Sequence, residues 1–183
     1  MKYSFYLTVF MIAVLVPLQN TDAGIIKYTA TLQGSNEVPA NASSGTGFAE
    51  INHDDALHTL SLQVNFSGLA GNVTASHIHS PAPPTANAGV ATSVPTLPGF
   101  PSGVTSGNYV RTLDLTLAAS YNPAFITLNG GTVSGAEAAL TASLAAGTAY
   151  LNIHTGLFPG GEIRGQIIPF TGGIIYLPLI LRN

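Results

Sequence analysis

Thr59-Leu-Ser-Leu-Gln-Val-Asn-Phe-Ser67 alternates apolar and polar residues without a break. Leu60, Leu62, Val64 and Phe66 fall on one face, and Thr59, Ser61, Gln63 and Asn65 on the other. A period of two belongs to a strand half-buried in a sheet, not to an amphipathic helix. The same period extends outward. Upstream, Ile26, Tyr28, Ala30 and Leu32 alternate with Lys27, Thr29 and Thr31. Residues 33–47 form a loop rich in Gly, Ser, Asn and Pro, Phe48 to Asn52 reads as a second strand, and Asp54-Asp55 marks a turn. Downstream, Ser67-Gly-Leu-Ala-Gly-Asn72 predicts a hairpin that returns along Val73 to His79. Tyr109 to Leu117 resumes the alternation, with Leu113, Leu115 and Leu117 on one face. Thr148 to His154 and Glu162 to Ile168 predict a last hairpin around Phe158-Pro-Gly-Gly161.

One segment breaks the period. Ala136, Leu140 and Leu144 recur every four residues and form a helical stripe. Ser134 with Glu137 three residues on fits a capping box, and Gly147 marks the end. Seven or eight short strands, one short helix and no βαβ rhythm predict an all-β fold, an antiparallel Greek-key β-sandwich or barrel. Ser80 to Gly107 is a long connection rich in Pro, Gly, Ala and Thr, and loops of that length are usually functional or mobile.

Charged residues make up 7% of the 183-residue chain, and the net charge is −3. With no basic patch to neutralise phosphates, nucleic acid is excluded as a partner. At 46% hydrophobic residues the chain is too apolar to be disordered. The ends differ from the middle. Lys2, the apolar run Tyr6 to Leu18 and Thr21-Asp-Ala23 have the layout of a secretory signal peptide over residues 1–23. Its apolar run is too short for a stable membrane span. Removing it leaves about 160 residues, the size of one domain. That domain covers 26–168, and a short hydrophobic tail follows over 169–183, where Ile174 to Leu181 is again too short to cross a bilayer. The leader places the chain outside the cytoplasm, secreted or held in a periplasm or at a cell surface. Disulfides are ordinary there, yet the chain has no cysteine. Its stability rests on sheet packing, alone or with a bound metal.

The missing cysteine also excludes a thiol nucleophile and a cysteine-ligated copper site. There is no GxSxG, phosphate loop or HExxH. Chemistry therefore falls to five histidines. His77 and His79, in Ser76-His-Ile-His-Ser80, stand two apart on a strand and share a face. His154 shares its strand face with Tyr150 and Asn152. Three imidazoles without cysteine suit copper or zinc, which makes His77, His79 and His154 the candidate metal ligands. Parity leaves open whether the two histidine faces look into the same space. A metal-bound imidazole needs a hydrogen-bond acceptor on its other nitrogen, and Glu162 or Asn152 are the candidates. The expected hairpin also brings His58, and with it His53, toward the same end of the sheet.

Gly34-Ser-Asn-Glu-Val-Pro39, Phe66-Ser-Gly-Leu69, His77-Ile-His79, and Asn152-Ile-His-Thr155 followed by Pro159-Gly-Gly-Glu-Ile-Arg-Gly-Gln166 carry a resemblance. In order, from about Ile26 to Ile168, they resemble the CHRD (chordin) domain family. The resemblance implies a secreted β-rich domain and no defined chemistry. A second, weaker resemblance carries a mechanism. Gly68-Leu69 to His77-Ile-His79, Leu151-Asn-Ile-His154 and Gly160-Gly161 to Arg164-Gly165 are similar to stretches of the copper/zinc superoxide dismutases. That similarity implies His77, His79 and His154 as copper ligands and Arg164 as a residue behind the ligands or facing an anion. Ser80 to Gly107 contains no histidine, so nothing matches the metal-bridging and zinc ligands of those enzymes.

Two functions follow as expectations. The first is a secreted CHRD-domain protein with a histidine-based copper-type site, for metal binding or limited redox chemistry. The second is a non-catalytic extracellular interaction module with structural histidines, which meets a protein or glycan partner through the Ser80–Gly107 loop.

Overall fold

The computed structural model of the chain describes residues 24–170. The signal peptide expected over 1–23, and the tail beyond residue 170, lie outside the described residues. Seven strands run β1 Ile25–Gln33, β2 Thr46–Asp54, β3 Thr59–Ser67, β4 Val73–His79, β5 Gly107–Asp114, β6 Ala149–Thr155 and β7 Ile163–Pro169. All pair antiparallel in one sheet of order β4-β6-β7-β1-β2-β3-β5, curled into a half-barrel. The all-β antiparallel reading holds, with strands that form one curled sheet.

The alternation that predicts the strands also builds the core. Register places Tyr28 opposite Ile51, Ile51 opposite Leu62, and Ala49 opposite Val64, so the apolar parity of three strands lands on one face. All these side chains are buried. The curl brings Ile78 of β4 and Tyr109 and Leu113 of β5, from opposite ends of the sheet order, into the same core.

The hairpin expected after Ser67 does not form. β4 pairs with β6, and β3 pairs with β2 and β5. The five-residue connection 68–72 instead carries the chain between strands that are not neighbours in the sheet. Its length and glycines suit either a tight hairpin or a crossing, and which one forms is decided by the partners that bury each strand. The Ser80–Gly107 connection then lies along the free edge of β4. Ala91 N–H donates to Ile78 O, Leu97 N–H to Ser76 O and Gly103 N–H to Val73 O, each at 2.9 Å. Phe100 of this loop stacks on Phe66 and leans on Tyr109. The loop therefore covers an edge strand and bridges the gap toward β5.

A six-residue helix α1, Pro123–Leu128, precedes the expected helix, which runs as α2 over Val133–Ala145. Ala136, Leu140 and Leu144 are buried as the stripe requires. The cap differs from the expectation. Thr132, not Ser134, accepts from Gly135 N–H. Glu137 turns outward to His58 Nδ1 at 2.7 Å. β5 ends at Asp114, so Leu117 leaves the strand face and is exposed.

Candidate functional site

β4 and β6 are neighbours, and their register settles the faces. Ala75 pairs with His154, His77 with Asn152, and His79 with Tyr150. Directly paired residues share a face, so all three histidines stand on the side of the sheet opposite Ser76, Ile78, Leu151 and Ile153. One donor nitrogen from each of His77, His79 and His154 lies within 4.8 Å of the other two. Their ring centroids are 5.4–5.8 Å apart. Strand parity groups His77 with His79, and the β4–β6 pairing brings His154 to them. It does not bring His53 or His58. His53 faces the core side of β2 and is buried, and His58 sits at the far end of the molecule against Glu137. Their expected approach depended on the β3–β4 hairpin that does not form.

The hydrogen bonds decide which nitrogen of each ring faces inward. His77 Nε2 lies 2.8 Å from Pro95 O, His79 Nδ1 2.9 Å from Ala88 O, and His154 Nδ1 3.0 Å from Pro159 O. A carbonyl accepts only, so each of these nitrogens carries the proton and donates. The remaining nitrogens, His77 Nδ1, His79 Nε2 and His154 Nε2, are then bare lone pairs. His79 Nε2 and His154 Nε2 are 3.4 Å apart with no proton between them. His77 Nδ1 is buried with no partner at all. Burial lowers the pKa of all three rings, and for His79 it does so to about 4, against a smaller opposing effect of its bond to Ala88 O. Neutral imidazoles with inward lone pairs are the form a metal ion binds.

The acceptors behind the rings are three loop carbonyls, not Glu162 or Asn152. Two belong to the Ser80–Gly107 loop and one to the β6–β7 turn. Backbone carbonyls carry no residue-type signal, which is why the sequence does not reveal them. Glu162 is instead fully buried and accepts from Ser43 Oγ, Thr155 Oγ1, Ala70 N–H and Gly71 N–H. Burial pushes its carboxyl pKa up, but the two hydroxyls and two amides outweigh that and leave it lowered.

Tyr150 lies flat on His79, with centroids 4.8 Å apart and planes 3° apart. The Arg164 guanidinium covers the other face of Tyr150, with Cζ 4.5 Å from the ring centroid. Arg164 is 2% exposed. It donates to Asn36 O, Asn87 Oδ1 and Pro84 O, and so ties the 34–40 and 83–87 loops together. These contacts set Arg164 behind the histidine cluster, with Tyr150 in between.

Residues 28–167 match the family model of the CHRD domain. No curated protein and no solved structure matches the chain.

Proposed function

This chain belongs to the CHRD domain family, and we propose that it is a secreted metal-binding protein whose copper-type centre is His77, His79 and His154. The observation that carries the reading is the set of three inward lone pairs. Each ring already donates its one proton to a backbone carbonyl, so no rearrangement of protons among the three satisfies the cluster. A cation at its middle does. Three imidazoles without a thiolate favour copper(II) over zinc(II), the order in which nitrogen sites bind first-row divalent ions. Three protein ligands would leave room for a further, exchangeable ligand on a bound ion, as in catalytic metal sites. Arg164 covers Tyr150, which stacks on His79, and ties down the 83–87 part of the loop that supplies Ala88 O. The leader-like residues 1–23 support export, and among the described residues no helix is long and apolar enough to cross a membrane.

Calorimetric titration of the purified chain, without an added tag, with copper(II) and zinc(II) tests this. One equivalent of copper, bound well below micromolar Kd and lost in His77→Ala/His79→Ala, is the expected result. Weak binding that the double variant leaves unchanged sinks the metal reading. The second reading then stands: an extracellular interaction module in which the histidines are structural. The bonds from the three rings to Pro95, Ala88 and Pro159 favour that reading, because they help to fasten two loops to the sheet.

A further inference from the structure

Among the described residues, five buried side-chain atoms have no hydrogen-bond partner: Glu37 Oε1, His53 Nε2, His77 Nδ1, Ser80 Oγ and Asn152 Oδ1. Two of the five belong to one row, and a third lies beside it. His77 on β4 pairs with Asn152 on β6, and Asn152 pairs with Arg164 on β7. Glu37, from the Gly34-Ser-Asn-Glu-Val-Pro39 stretch, closes over the same place. A Cβ added to Gly161 would stand 2.5 Å from Asn152 Nδ2 and 2.7 Å from both Asn152 Oδ1 and Glu37 Oε1, so the Asn152 amide and the Glu37 carboxyl meet around one point above a bare backbone. Glu37 is 7% exposed and Asn152 2%.

Both oxygens are acceptors if Glu37 is ionised, and a buried acceptor without a donor is costly. An amide oxygen cannot carry the missing proton, but a carboxyl can. The neighbouring cation does not resolve the conflict, because Arg164 donates to Asn36 O, Asn87 Oδ1 and Pro84 O. The other titratable groups near this row are the centre's own histidines, His77 on β4 and His154 on β6, beyond Asn152. We propose that Glu37 is the proton-holding residue of the three-histidine centre: its buried carboxyl keeps a proton while the centre is empty, and releases it when a divalent cation binds. This rests on the metal reading above. Burial raises the Glu37 carboxyl to about 7, with Arg164 and the Asn152 side chain pulling the other way, which puts the proton in exchange near neutral pH. A cation two side chains away favours the carboxylate and expels the proton. Glu37 is a positioning residue here, since it acts on the centre through Asn152.

The probe is zinc(II), titrated calorimetrically at pH 7 in buffers of different ionisation enthalpy, which counts protons released per ion bound. The three histidines are neutral before binding and release none. Wild type is expected to release about half a proton at pH 7 and close to none at pH 9. Glu37→Gln is expected to bind zinc and release none at either pH. Equal release from wild type and Glu37→Gln overturns the proposal and leaves the metal reading intact. Absence of zinc and copper binding overturns both. Should Glu37→Gln fail to fold, difference infrared spectra of wild type decide: loss of a protonated-carboxyl band on zinc addition supports the proposal, and an unchanged carboxyl region overturns it.

Discussion

Glu162 and Glu37 are both buried carboxylates beside the β6–β7 turn, and they sit in opposite surroundings. Glu162 has four donors around two oxygens and a lowered pKa. Glu37 has an oxygen without a donor, an arginine whose hydrogen bonds go elsewhere, and a pKa raised by burial to about 7. The first joins the 41–45 segment, the 69–71 turn and β6 into one knot. The second stands beside Asn152, which pairs with His77, and each of the three has a bare acceptor. A fully satisfied buried carboxylate holds a fold together, whereas a row of unsatisfied acceptors is a place prepared for something positive.

The largest effect that can break this contrast is Glu162→Ala. It leaves four donors without an acceptor, and the expected loss of unfolding free energy is about 3–5 kcal/mol. Urea denaturation measures it, and a loss under about 1 kcal/mol would reduce Glu162 to an ordinary surface residue. Next is His154→Ala. Removing one of three ligands should weaken copper binding by about 100-fold or more, beyond the usual effect of an outer partner. The variant should keep its fold, because His154 is only half-buried. A copper affinity unchanged by calorimetry would place the ion elsewhere.

The pH dependence of stability sharpens the contrast further. A raised folded pKa means the folded state binds the proton more tightly, so the Glu37 contribution declines as pH rises from about 4.5 to about 7 and is flat above. A lowered pKa has the opposite sign. The contribution of Glu162 is present above about 4.5 and is lost as pH falls below it. The three histidines act in the window below 6.5, where stability falls with pH as neutral buried rings are forced to charge. Subtracting the stability profile of Glu37→Gln from that of wild type isolates the Glu37 slope. A difference with no slope between pH 4.5 and 7 would show that Glu37 titrates normally. The smallest expected effect is His58→Ala. This exposed ring meets Glu137 at the other end of the molecule, and its removal should leave copper affinity unchanged within error.

Much of the site is legible in the chain because a strand is a simple ruler. His77 and His79 share a face by spacing, and the parity that groups His154 with Tyr150 and Asn152 is the parity observed. The Glu37 motif stands out among the residues that carry the family resemblance, but nothing local marks Glu37 as buried. The β3–β4 connection is read wrongly for a related reason. Turn residues report that the chain bends, not which strand lies beyond the bend.

The sequence by itself determines the strands, their buried faces, the helical stripe and the histidines that share a parity, since each depends on residues a few positions apart. Only the tertiary structure decides that β4 lies beside β6, that Pro95, Ala88 and Pro159 orient the three rings, and that Glu162 is satisfied while Glu37 is not. Those outcomes rest on contacts between segments 5 to more than 90 residues apart, made largely by backbone groups that every residue carries alike.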